Sequence, residues 1–118
     1  MQSLSIIVAE NDAAVARSLV TSLDQYFRSV QVVCSLDELK SLVLRLPADA
    51  AIVDLETIGL RQVVDFRREF NLPVVCTHRV PDDEIWTAAM DAGAADVCER
   101  SDVAAILRAV NYARARAA

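Results

Sequence analysis

The sequence predicts an α/β domain of five successive βα units, (βα)5, with a five-stranded parallel sheet between two layers of helices. Three observations carry that expectation. Apolar periodicity switches between about two and about 3.6 residues five times, with no linker or repeat between the switches. The strand-like segments are short and almost wholly apolar, as in strands covered on both faces. Two glycines and three prolines leave little room for an all-β fold with many tight turns.

Leu4 to Ala9 opens the chain as an apolar strand, and Asn11-Asp12 offers an N-cap pair for a helix carrying Val15, Leu19 and Leu23. Val30 to Cys34 is rich in valine and reads as a second strand. Ser35 and Glu38 form a Ser-x-x-Glu capping box for a helix with Leu39, Leu42, Val43 and Leu46, which Pro47 stops. Ala50 to Asp54 is a third strand ending on an acid. A more polar helix spans Gly59 to Phe70, with Val63, Phe66 and Phe70 on one face and Asn71 suited to its C-cap. Pro73 to Thr77 is a fourth strand, its proline at the start where no ladder bond is lost. Pro81 suits the first turn of a helix through Ile85, Ala88, Ala89 and Ala92, closed by Gly93. Ala95 to Glu99 is a short fifth strand. Ser101 is expected to cap a last helix with Val103, Ile106, Leu107 and Val110 on one face.

Composition narrows the function classes. At 118 residues, 54% hydrophobic and 25% charged, the chain fits one domain burying roughly two-thirds of its unfolded surface. A formal net charge of −5 argues against nucleic-acid binding, which needs a basic face. No apolar run is long enough to span a membrane, and Met1-Gln2-Ser3 lacks the basic start of a signal peptide. Cys34, Cys76 and Cys98 are set far apart inside or beside apolar runs, so they read as buried thiols of a reducing, cytoplasmic compartment. Eleven of the twelve basic residues are arginine; only Lys40 is lysine.

In an open parallel sheet the ligand site lies beyond the carboxyl ends of the strands. That rule selects Glu10 and Asn11 after the first strand, Asp54 ending the third, Thr77 and His78 at the fourth, and Arg100 after the fifth. Two carboxylates and an amide converging there invite a hard divalent cation such as Mg²⁺. Asp54 could also act as a nucleophile toward a phosphoryl group, with Arg100 neutralising phosphate charge. The same acids equally read as solvated strand-end residues favoured by helix N-termini. No glycine-rich phosphate loop and no Gly-x-Ser-x-Gly elbow is present, which removes the dinucleotide, P-loop and hydrolase readings.

Taken together, these segments resemble response-regulator receiver (CheY-like) domains, of flavodoxin-like architecture. Ile6-Ile7-Val8-Ala9-Glu10-Asn11-Asp12 is similar to their acidic opening, and Ala51-Ile52-Val53-Asp54-Leu55 to their phospho-acceptor strand. Leu72-Pro73-Val74-Val75 resembles the start of their fourth strand, and Ala92-Gly93-Ala94-Ala95-Asp96 the turn before their fifth. The resemblance runs the length of the chain in order. It implies that Asp54 takes a phosphoryl group from a partner histidine kinase. It implies a Mg²⁺ site formed by Glu10, Asn11, Asp54 and the backbone carbonyl of Glu56, weakened because an amide at Asn11 replaces the usual second acid.

Further departures follow from the same alignment. Counting from Pro73 and from Gly93 places His78 in the family's Ser/Thr switch slot, with Thr77 one residue early; a local gap would instead restore Thr77 to it. Arg100 takes the slot of the family's lysine, which exchanges a point charge for a planar fork. Glu56-Thr57-Ile58-Gly59 replaces the usual Met-Pro continuation after the acceptor, and the stretch to Pro73 is shortened. Val97 stands where the family often carries an aromatic ring.

Trp86 and Met90, four residues apart, share one flank of the fourth helix and form a candidate contact pair. The family's habit of pairing through its fourth helix, fifth strand and fifth helix makes this a candidate homodimer surface. Arg108, Arg114 and Arg116 read as a solvated face of the last helix, complementing its C-terminus. A single receiver-like domain over 1–118 is expected; the run Ala113 to Ala118 carries no stop signal, which leaves open both a module excised from a longer protein with a C-terminal output domain and a single-domain receiver of this length. The functional expectation is an atypical receiver acting as a binding switch and not as a turnover enzyme. Its alternative is a phosphorylation-independent pseudo-receiver used for protein interaction or dimerisation. A Mg²⁺-dependent phosphatase of similar fold is disfavoured, because no second aspartate follows Asp54 at the general-acid position.

Overall fold

The computed structural model describes residues 3–117; Met1 and Gln2 of the amino-terminal segment and Ala118 at the end of the last alanine-rich run lie outside them. Strands and helices alternate as β1 (Ser5–Ala9), α1 (Ala13–Leu23), β2 (Ser29–Val33), α2 (Leu36–Arg45), β3 (Ala50–Asp54), α3 (Leu60–Glu69), β4 (Val74–His78), α4 (Asp83–Asp91), β5 (Asp96–Glu99) and α5 (Val103–Ala117). All strand pairs are parallel, in the order β2-β1-β3-β4-β5. The order reverses between β1 and β3, which leaves a crevice beyond their carboxyl ends.

Two apolar layers flank the sheet because successive strand residues face opposite ways. Ala9, Val53 and Cys76 pack with Leu39, Val63, Phe66 and Ala89 from α2, α3 and α4. Val8, Ile52, Val75 and Cys98 pack with Leu19, Leu23, Ile106 and Val110 from α1 and α5. Phe27 and Phe66 are each 1% exposed, and burying a side chain of that size stabilises the fold by about 2–3 kcal/mol.

Several boundaries differ from the sequence expectation, each for a local reason. Asp82 accepts from the Ile85 N–H at 2.8 Å and caps α4, so Pro81 precedes the helix and does not occupy its first turn. Asp102, not Ser101, caps α5: it accepts from the Ala105 N–H, while the Ser101 hydroxyl donates to Glu99 at 2.6 Å. Ser35 accepts from the Glu38 N–H as expected, but Glu38 reaches back to the Cys34 N–H. α3 ends at Glu69 and its C-cap is Phe70, one residue before Asn71; the Phe70 ring stacks on Phe66 with centroids 4.9 Å apart. Gly93 closes α4 with φ 106°, a conformation that suits glycine, and a Cβ there would meet Arg67 Cγ at 3.2 Å.

Cys34 is exposed, against the expectation of a buried thiol, because β2 is an edge strand and Cys34 follows its last residue. Cys76 and Cys98 are buried. Burial, with the Asp54 charge adding to it, pushes the Cys76 thiol up to about 12. Burial, with Asp96 adding to it, pushes Cys98 up to about 11.

Candidate functional site

The crevice at the carboxyl end of the sheet is organised around Asp54, the last residue of β3, which is 1% exposed. β3 is the central strand and every one of its residues is buried, so its register fixes where Asp54 stands. The turn after it winds back on the same residue: the Thr57 and Ile58 N–H groups donate to the Asp54 carbonyl at 3.0 and 2.9 Å. The Glu56 N–H donates to Asp54 Oδ2 at 3.1 Å.

Thr77 is the Cα partner of Asp54 in the ladder, so their side chains leave the sheet on the same side. The Thr77 hydroxyl donates to Asp54 Oδ1 at 3.0 Å and is itself buried. His78, placed in the switch slot by counting, does not reach the acid. One residue further along β4 it faces the other way, and its Nδ1 accepts from the Val80 N–H at 3.0 Å. Alternation along the strand therefore corrects the alignment by one position: the hydroxyl neighbour of Asp54 is Thr77.

Arg100, just after β5, closes the opposite side. Its Nη2 donates to Asp54 Oδ1 at 3.0 Å and Oδ2 at 2.9 Å, and lies 3.5 Å from the Glu56 carboxylate. Burial alone would lower the Arg100 pKa; the charges of Asp54, Glu10 and Glu56 outweigh it and raise the value above its ordinary level. The guanidinium is thus fully charged, and Asp54 is held between a cation and a hydroxyl. Glu56, exposed beside them, also pairs with Arg79 at 2.7 Å.

Glu10 follows β1 and is 2% exposed. Its Oε2 accepts from the Thr57 hydroxyl at 3.1 Å and from the Asp12 N–H at 3.3 Å, whereas Oε1 is buried with no partner. Asn11 is exposed, and it joins the cluster through its backbone N–H, which donates to Thr57 Oγ1 at 3.0 Å. Thr57 therefore ties the loop after β1 to the loop after β3. Sequence reasoning did not single out Thr57 or Arg79, since each is an ordinary polar loop residue until the two loops meet.

A divalent cation at this rim would draw on Glu10, Asn11, Asp54 and Glu56. Glu10 Oε1 is a vacant acceptor suited to one. Asp54 is not: its two oxygens together receive four donor contacts, from Thr77, Glu56 and twice from Arg100, matching the roughly four lone-pair positions of a carboxylate. Among the described residues no group of three or more His, Cys, Asp or Glu side chains is placed to hold a metal. With Arg100 in this position the residues do not fit Mg²⁺.

Elsewhere, Trp86 is 47% exposed on α4 and its Nε1 donates to Asp96 Oδ1 at 3.3 Å, while Met90 is half-buried. Val97 packs in the core with no aromatic ring in its place. Arg108 is exposed, Arg114 lies 3.6 Å from Asp49, and Arg116 stands over the Tyr112 ring. No helix among the described residues is long and apolar enough to cross a membrane.

No family model matches the chain, and no curated protein matches it by sequence. Solved structures do. The receiver domain of a Francisella response regulator aligns with a TM-score of 0.85 at 17% identity, covering 98% of this chain and 100% of that one. A putative response regulator from Chloroflexus aurantiacus aligns at 0.86 and 20% identity, covering 98% and 100%. A two-component response regulator from Clostridium difficile aligns at 0.79 and 18% identity, covering 98% and 97%. The chain has the fold of response-regulator receiver domains, with five parallel strands alternating with five helices in the flavodoxin-like order.

Proposed function

We propose that this domain is a phosphorelay receiver in which Asp54 accepts a phosphoryl group from a histidine kinase. The observation that carries the reading is the placement of Asp54 between the Thr77 hydroxyl and the Arg100 guanidinium at the sheet's carboxyl edge. One carboxylate oxygen attacks the phosphorus of a phosphorylated imidazole. The P–N bond breaks, its electron pair stays on the ring nitrogen, and that nitrogen takes up a proton as the acyl phosphate forms. Arg100 then transfers its donors from carboxylate to phosphoryl oxygens, and its fixed charge offsets the added anion.

Thr77 supplies the link to the surface. A hydroxyl that turns from Asp54 to a phosphoryl oxygen pulls on the end of β4 and on the loop entering α4. The surface biased in this way is α4–β5–α5, where Trp86 and Tyr112 are exposed and Met90 half-buried. It would serve a protein partner or a second copy of the chain. The domain thus works as a binding switch without turnover, and its negative charge gives phosphate backbones no footing.

A second reading, a phosphorylation-independent interaction module, is favoured by one observation: Asp54 is already neutralised and its lone pairs are occupied. Intact mass after incubation with acetyl phosphate separates the two. A phosphoryl adduct on the wild-type chain that is lost in Asp54→Asn supports the receiver; no adduct on either supports the module.

A further inference from the structure

We propose that Arg100 is the site's own cation, seated where a divalent ion would otherwise neutralise Asp54, so that the ion and the arginine exclude each other. One guanidinium nitrogen contacts both Asp54 oxygens, at 3.0 and 2.9 Å, and the same group is 3.5 Å from Glu56. It is held there, since the Arg100 side chain keeps only 15% of its exposure and Asp54 1%.

Charge counting points the same way. Glu10, Asp54 and Glu56 contribute three negative charges, Arg100 and Arg79 two positive ones, which leaves one negative charge at the rim. That remaining charge belongs to Glu10, whose Oε1 is unpartnered. A divalent ion entering beside Arg100 would turn the rim positive and meet a like charge at close range. An ion that displaced Arg100 would strand a guanidinium whose Nε already lacks a partner. A lysine here would be a compact charge on a flexible stem, able to swing aside. The arginine fork is planar and far more restrictive, and it stays charged at any accessible pH.

The inference deepens the receiver reading by saying what balances the phosphate charge, yet it rests on the unmodified site and its test needs no phosphoryl donor. Failure of Asp54 to take a phosphoryl group would leave it standing, and its own failure would leave phosphorylation intact. The test is Mn²⁺ titration of the full chain, read by paramagnetic broadening of the Glu10, Asp54 and Glu56 amide resonances, with Mg²⁺-dependent melting alongside. Wild type, Arg100→Ala and Arg100→Lys are compared, and Asp54→Asn in each background assigns the ion to this site. The expected result is that removing the guanidinium raises Mn²⁺ affinity about tenfold or more, as loss of an adjacent like charge requires. Arg100→Ala should also gain a Mg²⁺-dependent rise in Tm that the wild type lacks. Arg100→Lys, which keeps a cation beside Asp54, should bind between the two and keeps the test open if the alanine variant does not fold. Equal affinity in all three overturns the proposal, and so does an absence of binding in all three.

Discussion

A single guanidinium nitrogen of Arg100 straddles the carboxylate of Asp54, 3.0 Å from one oxygen and 2.9 Å from the other, at a buried strand end. Each residue is the other's main counter-charge, since the next carboxylate, Glu56, lies 3.5 Å from Arg100 and is exposed. Arg100→Ala should therefore cost roughly 3 kcal/mol of folding stability, toward the low end for breaking a buried pair because Arg100 retains some contact with water. Urea unfolding measures it. A loss below about 0.5 kcal/mol, the level of ordinary surface substitutions, would show that the pair is dispensable.

Thr77→Val keeps the shape of the side chain and removes the hydroxyl that bonds Asp54. It should cost about 1–2 kcal/mol, because a buried hydrogen bond is lost to a charged acceptor. His78→Ala removes a half-buried ring that does not touch Asp54, and should change stability by less than about 0.5 kcal/mol. Denaturant curves of the two variants compare the positions directly; the reverse ranking would restore His78 to the site.

Thr57 accepts from the Asn11 N–H and donates to Glu10. Thr57→Val should release the loop after β1 and speed hydrogen exchange at the Asn11 amide about tenfold, equivalent to a local loss near 1.4 kcal/mol. Unchanged exchange at Asn11 would mean that the two loops are held together by other contacts.

Only Cys34 among the three cysteines is exposed, so one thiol should react promptly with a disulfide reagent at pH 8 in the native state and three after unfolding. Cys76, at about 12, and Cys98, at about 11, stay protonated in the fold while unfolded thiols ionise near 9. Above pH 9 the native state therefore holds more protons than the unfolded one, and stability should fall as pH rises from 9 toward 11 or 12. Replacing Cys76 with alanine should flatten that fall in Tm measured against pH.

Much of the architecture is legible in the residues because local and global signals agree. Ala50–Asp54 is apolar throughout up to its terminal acid, and it lies in the middle of the sheet. Gly93 marks the end of α4 because its φ of 106° suits glycine. The candidate site was legible in outline: Glu10, Asp54 and Arg100 each follow or end a strand, and the parallel topology brings them to one rim. The Thr77–His78 choice was not, since counting from distant anchors errs by one residue and one residue turns a side chain to the other face of a strand. Thr57 and Arg79 were out of reach for a different reason: their partners, Glu10 and Glu56, come from contacts between loops that carry no periodic signal.

The central claim, that Asp54 in its Thr77–Arg100 cradle is the acceptor, is tested most directly by locating the modified residue. After incubation with acetyl phosphate, borohydride reduction converts an aspartyl phosphate to homoserine, and peptide mapping by mass spectrometry reads the position. Homoserine at position 54 is the predicted outcome. Modification at another carboxylate, or at none, would contradict it.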